Sequence, residues 1–393
     1  MLLALPGTVG SETAPIVVGM SAAFQGPSRG LGIELYRGAA AYLQSVNRRG
    51  GVRGRPVVIK PYDDSYQPTP AIANTIRLVD KDEAFLLFGY VGTPTVTRVL
   101  PVLKTFESLD ILLLFPFTGA QPQREPPYDR FVFNLRASYR QETEGLVDHL
   151  VAVGRKRIGV YYQIDAYGRS GWDGVRRALG DQGLKIASEA TYRRGAAFSE
   201  SFREQVDILR RPGADAVICI GAYPACAGFI RDARRAGWNV PIANVSFVGS
   251  ESLLELLRPS GHTQGLINSQ VVPSYTDTTL PGVREYRSLM EGAPMPPRDV
   301  LGSAAYPPIA HSFVSMEGFL DARLLVELLR RMGPKLERSR IRPVMESMRD
   351  LDLGIGAPVS FGPDRNQGLD TIYYTTVEEG RFVPLTDWSA FAP

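Results

Sequence analysis

Short apolar runs alternate with amphipathic stretches along most of the chain. In one unit, the apolar run 85–88 ends in Gly-Tyr-Val-Gly-Thr-Pro-Thr, a helical stretch follows over about 95–108, and a second apolar run covers 111–115. Continuous apolar runs separated by an amphipathic helix predict parallel strands that are buried on both faces. Ligands bind at the carboxyl ends of such strands, so the two loops that follow these runs are predicted to form half of a binding site.

The same βα alternation occurs twice. A first series runs to about residue 120, and a second series begins after residue 139 and continues to about residue 257. Two successive series predict an α/β protein with two doubly wound lobes, whose strand-end loops face one cleft. We expect lobe 1 to comprise residues 14–136 plus 266–350 and lobe 2 to comprise residues 137–265 plus 351–393.

The connections between the lobes bear on mechanism. A chain that leaves one lobe, builds another and returns must cross more than once, and the crossings are expected near residues 136–139, 261–265 and 350–354. A three-crossover hinge of this kind suits closure of the two lobes on a ligand.

Composition and motifs exclude several classes of protein. Lys plus Arg outnumber Asp plus Glu by only 44 to 41, and most of the paired arginines fall in or at the end of predicted helices, so no nucleic-acid partner is expected. The stretch 30–35 begins like a dinucleotide fingerprint but has Leu35 at the third glycine position, and no nucleotide cofactor is expected. The three histidines lack metal-ligand spacing, so no metal site is expected either.

Catalytic signals are also missing from the sequence. There is no Gly-x-Ser-x-Gly elbow and no phosphate-binding Gly-x-x-x-x-Gly-Lys loop, and the predicted strand ends carry Thr, Tyr, Phe and Gly. Such residues bind ligands but rarely catalyse without a base, so the chain is not expected to be an enzyme. Two cysteines, Cys219 and Cys226, could be bridged, but buried free thiols are favoured.

Localisation signals are sparse. No apolar run approaches the roughly 18 residues that a membrane span requires. An apolar patch at residues 2–5 lacks the basic flank and full apolar stretch of an export signal. It can be the remnant of a removed signal or the product of a misplaced start.

Five sequence motifs, taken in order, resemble those of one family. They are GGVRGRPV at 50–57, YDDSY at 62–66, GYVGTPT at 89–95, FPFTGA at 115–120 and GAYPACAGFIRDARRAG at 221–237. The chain resembles a type I periplasmic solute-binding protein of the Leu/Ile/Val-binding family, the substrate-binding proteins of branched-chain amino acid ABC transporters. The resemblance implies a bilobed protein that closes on a small ligand, needs no cofactor, and delivers the ligand to an ABC transporter permease in the inner membrane.

The resemblance also implies which residues of the first lobe bind the ligand. The family holds the ligand carboxylate with a hydroxyl and backbone amides after two neighbouring strands. The matching residues in this chain are Val91, Gly92, Thr93, Phe117, Thr118 and Gly119. An alternative for Thr93 is that its hydroxyl caps the helix that begins at this point, a position that threonine favours.

In the second lobe, the family lines its pocket with aromatic residues, and Tyr167 and Tyr223 match two of them. Amino-acid binders of the family place an acidic residue after the next strand to hold the ligand ammonium, whereas this chain has Phe247 there. An unpaired buried ammonium costs several kcal/mol. We therefore expect a ligand with a carboxylate or amide oxygen, an apolar or aromatic body and no ammonium, unless Glu251 or Asp165 substitutes.

The expected function is that of an extracytoplasmic solute-binding component of an ABC importer, acting as a monomer in the periplasm. The alternative is a ligand-sensing regulator or receptor domain on the same fold. The lack of a DNA-binding module or membrane span within the sequence favours the importer.

Overall fold

The computed structural model describes residues 14–393, so the apolar patch at residues 2–5 lies outside the described residues. The strands are β1 Ile16–Ala22, β2 Val57–Asp63, β3 Leu86–Phe88, β4 Leu113–Leu114, β5 Val132–Phe133, β6 Ile158–Gln163, β7 Ser188–Tyr192, β8 Ala216–Ile220, β9 Ile242–Asn244, β10 Leu266–Gln270, β11 Leu351–Asp352, β12 Pro358–Val359, β13 Tyr373–Glu378 and β14 Arg381–Pro384. The helices are α1 Arg29–Arg48, α2 Pro68–Asp80, α3 Thr93–Thr105, α4 Tyr139–Ala152, α5 Ala166–Asp181, α6 Arg203–Arg210, α7 Tyr223–Arg235, α8 Ser250–Leu257, α9 Pro281–Met290, α10 Arg298–Leu301, α11 Phe313–Arg331 and α12 Ile341–Glu346.

Two main sheets form the centres of the two lobes. The first has five parallel strands in the order β2-β1-β3-β4-β5, and the second has seven strands in the order β14-β13-β10-β9-β8-β6-β7. In the second sheet, β13 and β14 are antiparallel and the other neighbours are parallel. The two-lobed α/β fold expected from the sequence is therefore confirmed.

The unit that first indicated this fold is present as β3-α3-β4. Every residue of β3 and β4 is buried, which is why these strands are continuous apolar runs with no alternation. The two strands are parallel neighbours, with Leu87 opposite Leu113, and their carboxyl ends lie at the same edge of the sheet.

The two later crossings lie further along the chain than expected. The sequence predicts a return to lobe 1 at residue 266, but β10 pairs with β9 and β13 in the second sheet. Residue 351 was placed at the return to lobe 2, but β11 and β12 form a separate hairpin, and Phe361 packs on Phe133 of the first lobe at a ring distance of 5.7 Å. Hydrogen bonding and packing decide these crossings, and neither leaves a composition signal.

The first lobe is completed by the C-terminal half of the chain. Helix α11 lies against α1, where the rings of Tyr42 and Phe319 meet edge to face at 5.2 Å. In the second lobe, Cys219 and Cys226 are both buried and both free, as favoured from the sequence. Between residues 14 and 393, no helix combines the length and apolar character needed to cross a membrane.

Candidate functional site

The two predicted loops of the first lobe extend the sheet beyond its last regular strand pairs. Val91 and Phe117 form an isolated parallel bridge, and the Gly92 amide donates to the Phe117 carbonyl at 3.1 Å. Helix α3 begins directly after Gly92. The loops are therefore fixed to one another at the edge of the sheet where the resemblance placed the ligand oxygen.

The two threonines of these loops face each other. Thr93 Oγ1 lies 2.6 Å from Thr118 Oγ1 and 3.4 Å from the Tyr139 hydroxyl, and all three residues are buried. The helix cap is Gly92 rather than Thr93, and no side-chain hydrogen bond caps α3. The alternative that Thr93 serves as the helix cap is therefore wrong, and its hydroxyl points across to the neighbouring loop.

Both glycines of the loops are needed for close approach. Gly92 has φ 108°, and a Cβ added there would lie 2.2 Å from the Tyr66 ring. A Cβ on Gly119 would lie 2.5 Å from the Tyr139 ring. Two aromatic rings can thus lie directly on the loop backbones because these positions have no side chain.

The second lobe contributes two aromatic residues to the same place. Tyr167 is at the start of α5, where Asp165 caps the helix by accepting from the Tyr167 amide at 3.0 Å, and the Tyr167 hydroxyl donates to the Gly221 carbonyl at 3.3 Å. Phe247 lies in a single helical turn that follows β9. Both side chains are fully buried.

Phe247 is the ring that joins the two lobes. Its centroid lies 4.7 Å from Tyr167 on its own lobe, and 5.3 Å from Phe117 and 6.0 Å from Tyr66 on the opposite lobe. Tyr139 completes the group, with its ring 5.2 Å from that of Tyr167. We call these five residues, Tyr66, Phe117, Tyr139, Tyr167 and Phe247, the cleft cluster. Ring pairs at these distances stabilise contact beyond the area that they bury.

Tyr223, the other predicted aromatic residue of the second lobe, lies outside the cleft cluster. Its hydroxyl donates to the Pro27 carbonyl at 2.7 Å and accepts from the Gly30 amide at 3.2 Å, so it binds the opposite lobe through two hydrogen bonds. Burial raises the pKa of Tyr223 to about 12. Its ring lines a cavity of about 550 Å³ beside the cleft cluster.

Further hydrogen bonds cross between the lobes. The Gln163 side-chain amide donates to the Tyr66 hydroxyl at 3.3 Å, and Arg194 donates to the Gln67 side chain at 3.2 Å. The lobes are thus in contact along the cleft, and the structure shows a closed arrangement.

The two acids proposed as substitutes are both engaged elsewhere. Asp165 caps Tyr167 and pairs with Arg194 at 3.2 Å. Glu251 accepts from the Phe313 amide at 3.2 Å, and burial raises its pKa to about 8. A carboxyl with that pKa is mostly protonated at neutral pH. Neither acid presents a free carboxylate to the cleft cluster.

Three residues around the site were not selected from the sequence. Tyr66 and Tyr139 belong to the cleft cluster, and Arg136 lies with its guanidinium 4.6 Å from the Phe117 ring centroid. Arg136 also donates to the Ser246 hydroxyl, next to Phe247, so it connects the hinge to both lobes. Two features of the sequence could have indicated these tyrosines: Tyr66 ends the YDDSY motif, and Tyr139 lies at the first predicted crossing between the lobes.

A metal centre is not supported within the described range. Residues 14–393 contain no group of three or more His, Cys, Asp or Glu side chains arranged to hold a metal ion. His149 instead stacks on Trp388 at 4.4 Å in the second lobe, where it is half-buried.

Comparison with known proteins gives concordant matches. The periplasmic binding protein family model matches residues 15–381. A crystal structure of a possible leucine/isoleucine/valine-binding protein from Rhodopirellula baltica is 31% identical, with a TM-score of 0.86, and covers 99% of this chain and 100% of its own. A substrate-binding periplasmic protein from Ralstonia solanacearum is 28% identical, with a TM-score of 0.83, over 94% of this chain and 100% of its own.

The relatives found by sequence match a smaller part of the chain than the solved structures do. An amino acid binding protein from Pseudomonas aeruginosa is 26% identical over 60% of this chain and 63% of its own length. For the first two curated relatives that it matches, the chain spans between 59% and 63% of their length.

Proposed function

Because the chain belongs to the periplasmic binding protein family, as a type I protein of the branched-chain amino acid group, we propose that it is the solute-binding component of an ABC importer. In this role the protein acts outside the cytoplasm, binds a small molecule by closure of its lobes, and presents the closed form to a membrane permease. It acts by binding and not by catalysis. The relatives are named as binding proteins, which supports this proposal.

The nature of residue 247 supports a particular ligand class. Phe247 is fully buried and is surrounded by the rings of Phe117, Tyr66 and Tyr167. A ligand ammonium at this place would meet aromatic carbon on several sides. The Glu142 carboxylate near this turn already accepts from the Ser246 amide and hydroxyl, so burying an ammonium here would cost several kcal/mol. We propose that the ligand lacks an α-ammonium and has an aliphatic or aromatic body.

The opposite end of the ligand carries an oxygen anion or an amide oxygen. Thr93 and Thr118 each carry a hydroxyl at the strand-end loops, whereas the amides of Gly92 and Thr118 already donate to backbone carbonyls. A hydroxyl that now pairs with its neighbour can turn to donate to a carboxylate, and hydrogen bonds to a charged acceptor are the stronger ones. A carboxylate held by hydroxyls and amides needs no arginine.

Matched ligand pairs test the ligand class directly. Each pair differs only in the ammonium: 3-phenylpropanoate against phenylalanine, and 4-methylpentanoate against leucine. We expect the amine-free member of each pair to raise the melting temperature and to bind in calorimetry, while the amino acid binds at least tenfold more weakly. Stronger binding by the amino acids would refute the ligand class.

A matched pair of variants tests the carboxylate site. Thr118→Val removes one of the two facing hydroxyls and should weaken binding by about 10- to 100-fold, because a hydrogen bond to a charged group contributes about 1.5–3 kcal/mol. Thr97→Val is the control, since that hydroxyl donates to a carbonyl of its own helix and its residue is half-buried. Equal affinities for the two variants would remove the threonine pair from the site.

A further inference from the structure

The cavity beside Tyr223 is built from both lobes. The second lobe supplies Tyr223, Ser252 and Leu256, while the first lobe supplies the 26–29 loop and the segment 304–309. Its volume is about 550 Å³, within the range of small-molecule sites. Because its walls belong to separate lobes, the cavity changes size when the lobes open or close.

The 304–309 segment is fastened to the first lobe by side-chain hydrogen bonds. Arg29 donates to the Ala304 carbonyl at 3.1 Å, and Glu34 accepts from the Tyr306 hydroxyl and the Ile309 amide, each at 3.0 Å. Arg37, paired with Glu34 at 2.7 Å, also donates to the Ile309 carbonyl at 2.7 Å. This buried ion pair holds the segment as a fixed wall, against which the second lobe closes.

The cavity adjoins the cleft cluster. A Cβ added to Gly249 would lie 2.7 Å from Leu31 and 3.5 Å from the Tyr223 ring, and Gly249 is two residues after Phe247. Leu31, Tyr223 and Phe247 belong to one continuous buried cluster that also contains Tyr167. Tyr223, which lines the cavity, therefore lies against the end of the turn that carries Phe247 of the cleft cluster.

The lining selects a ligand of mixed character. Pro27, Leu256 and Pro307 contribute apolar surface to the wall, and Arg29 and Glu255 contribute charged side chains. The hydroxyls of Ser252, Tyr223 and Tyr306 converge on one point, each within 3.1–3.3 Å of where a Cβ on Gly30 would lie. This patch can hydrogen-bond a neutral polar group on an otherwise apolar body.

We infer that this cavity is the distal half of the ligand site, and that it takes the far end of an elongated amine-free acid, an aliphatic or aromatic body that can end in a neutral hydroxyl or ether. This inference rests on the proposed function and narrows it. A ligand that touches both lobes here binds the closed form better than the open form, so filling the cavity favours closure.

A series of straight-chain carboxylates, from butanoate to dodecanoate, tests the inference by calorimetry on the full chain. We expect affinity to rise by about fourfold for each added methylene, since burial of one methylene contributes about 0.8 kcal/mol, until the cavity is filled. A series that is flat beyond butanoate would overturn the inference. A second pair, 3-(4-hydroxyphenyl)propanoate against 3-phenylpropanoate, tests the hydroxyl patch, with the phenol expected to bind more tightly.

Two neighbouring alanines provide a matched pair of variants. Ala304 lines the cavity and is exposed, so Ala304→Trp can fill the cavity without disturbing the core. Ala305 is equally exposed but lies outside the lining, so Ala305→Trp is the control. We expect Ala304→Trp to weaken binding of decanoate at least tenfold and to leave butanoate unchanged, while Ala305→Trp leaves both unchanged.

Failure of the inference and failure of the proposed ligand class give different results. Equal losses for decanoate and butanoate in Ala304→Trp, or no loss for either, would overturn the inference while amine-free acids still bind. If amino acids bind in place of the amine-free acids, the ligand class is wrong. The two alanine variants then test the cavity with a short and a long amino acid, alanine and tryptophan.

Discussion

Glu251 makes the stability of this protein depend on pH in a predictable direction. Its carboxyl is buried, one oxygen accepts from the Phe313 amide, and the Tyr275 side chain lies beside the carboxyl. Burial raises its pKa from the ordinary 4.5 to about 8. A carboxyl with a raised pKa stabilises the fold fully below its unfolded pKa, and this stabilisation is lost as the pH rises through the folded pKa. Glu251→Gln, which keeps the shape and removes the titration, should therefore be more stable than the parent protein at pH 8.

The size of the effect follows from the two pKa values. A shift of one pKa unit corresponds to about 1.4 kcal/mol, so this single group should lower the unfolding free energy by about 3–4 kcal/mol between pH 5 and pH 8. Urea denaturation of both proteins at pH 5, 6.5 and 8 measures the difference. Glu251→Gln should lose that part of the pH dependence and should gain most over the parent at pH 8.

The control lies on the same helix. Glu255 is exposed and pairs with Arg258 at 2.9 Å, and an exposed pair of this kind contributes about 0–1 kcal/mol. Glu255→Gln should follow the parent protein at every pH. If Glu251→Gln also follows the parent at every pH, burial does not control the ionisation of this carboxyl and the reasoning is refuted.

Three further substitutions have defined outcomes. Tyr223→Phe removes the hydroxyl bond to the Pro27 carbonyl, so ligand affinity in calorimetry should fall by about three- to tenfold, in line with the 0.5–1.5 kcal/mol of one hydrogen bond, and small-angle scattering should show a more open form. Gly92→Ala strains a backbone at φ 108° and forces the Tyr66 ring away, so both the melting temperature and ligand affinity should fall. Asp321→Asn should raise the unfolding free energy at pH 8 and raise it less at pH 5. Burial raises the pKa of the Asp321 carboxyl, and neither of its oxygens has a hydrogen-bond partner in the described part of the chain.

Each of these three substitutions has a matched control substitution elsewhere in the chain. Tyr162→Phe removes a hydroxyl that bonds Glu189 within the second lobe, and it should leave ligand affinity unchanged. Gly180→Ala places a Cβ where nothing lies within 4 Å, and it should not lower stability. Asp181→Asn changes an exposed carboxyl on α5 and should leave the pH dependence as in the parent. A site variant that behaves like its control would contradict the corresponding prediction.

Much of the fold could be predicted because local patterns determine it. The buried strands β3 and β4 are apolar on both faces, and the helix between them has one apolar stripe, so the run lengths alone indicate a parallel sheet. The later crossings could not be located in the same way. β10 stays in the second sheet because its backbone pairs with β9 and β13, and the sequence does not record which strands become neighbours.

The candidate site likewise has a part that the sequence predicts and a part that it does not. The sequence predicts the glycine- and threonine-rich loops at residues 91–93 and 117–119 as part of the site, because strand ends with small polar residues are recognisable and the family motifs align there. Tyr66 and Tyr139 were not selected, although each lies on a loop glycine whose missing side chain makes room for the ring. Tyr66 and Gly92 are 26 positions apart, and Tyr139 and Gly119 are 20 positions apart. Contacts at such separations produce no periodic pattern in the sequence.

The sequence by itself determined the two-lobed α/β fold and the lack of catalytic motifs, and it predicts that Phe247 stands where the resemblance implies an acid. Only the tertiary structure decided what surrounds Phe247, that Glu251 and Asp165 are engaged elsewhere, and that Tyr223 lines a cavity between the lobes. The physical reason is that burial and periodicity act over neighbouring residues and leave a pattern in the chain. The cleft is made where two lobes meet, and its contacts depend on distances that no local pattern encodes.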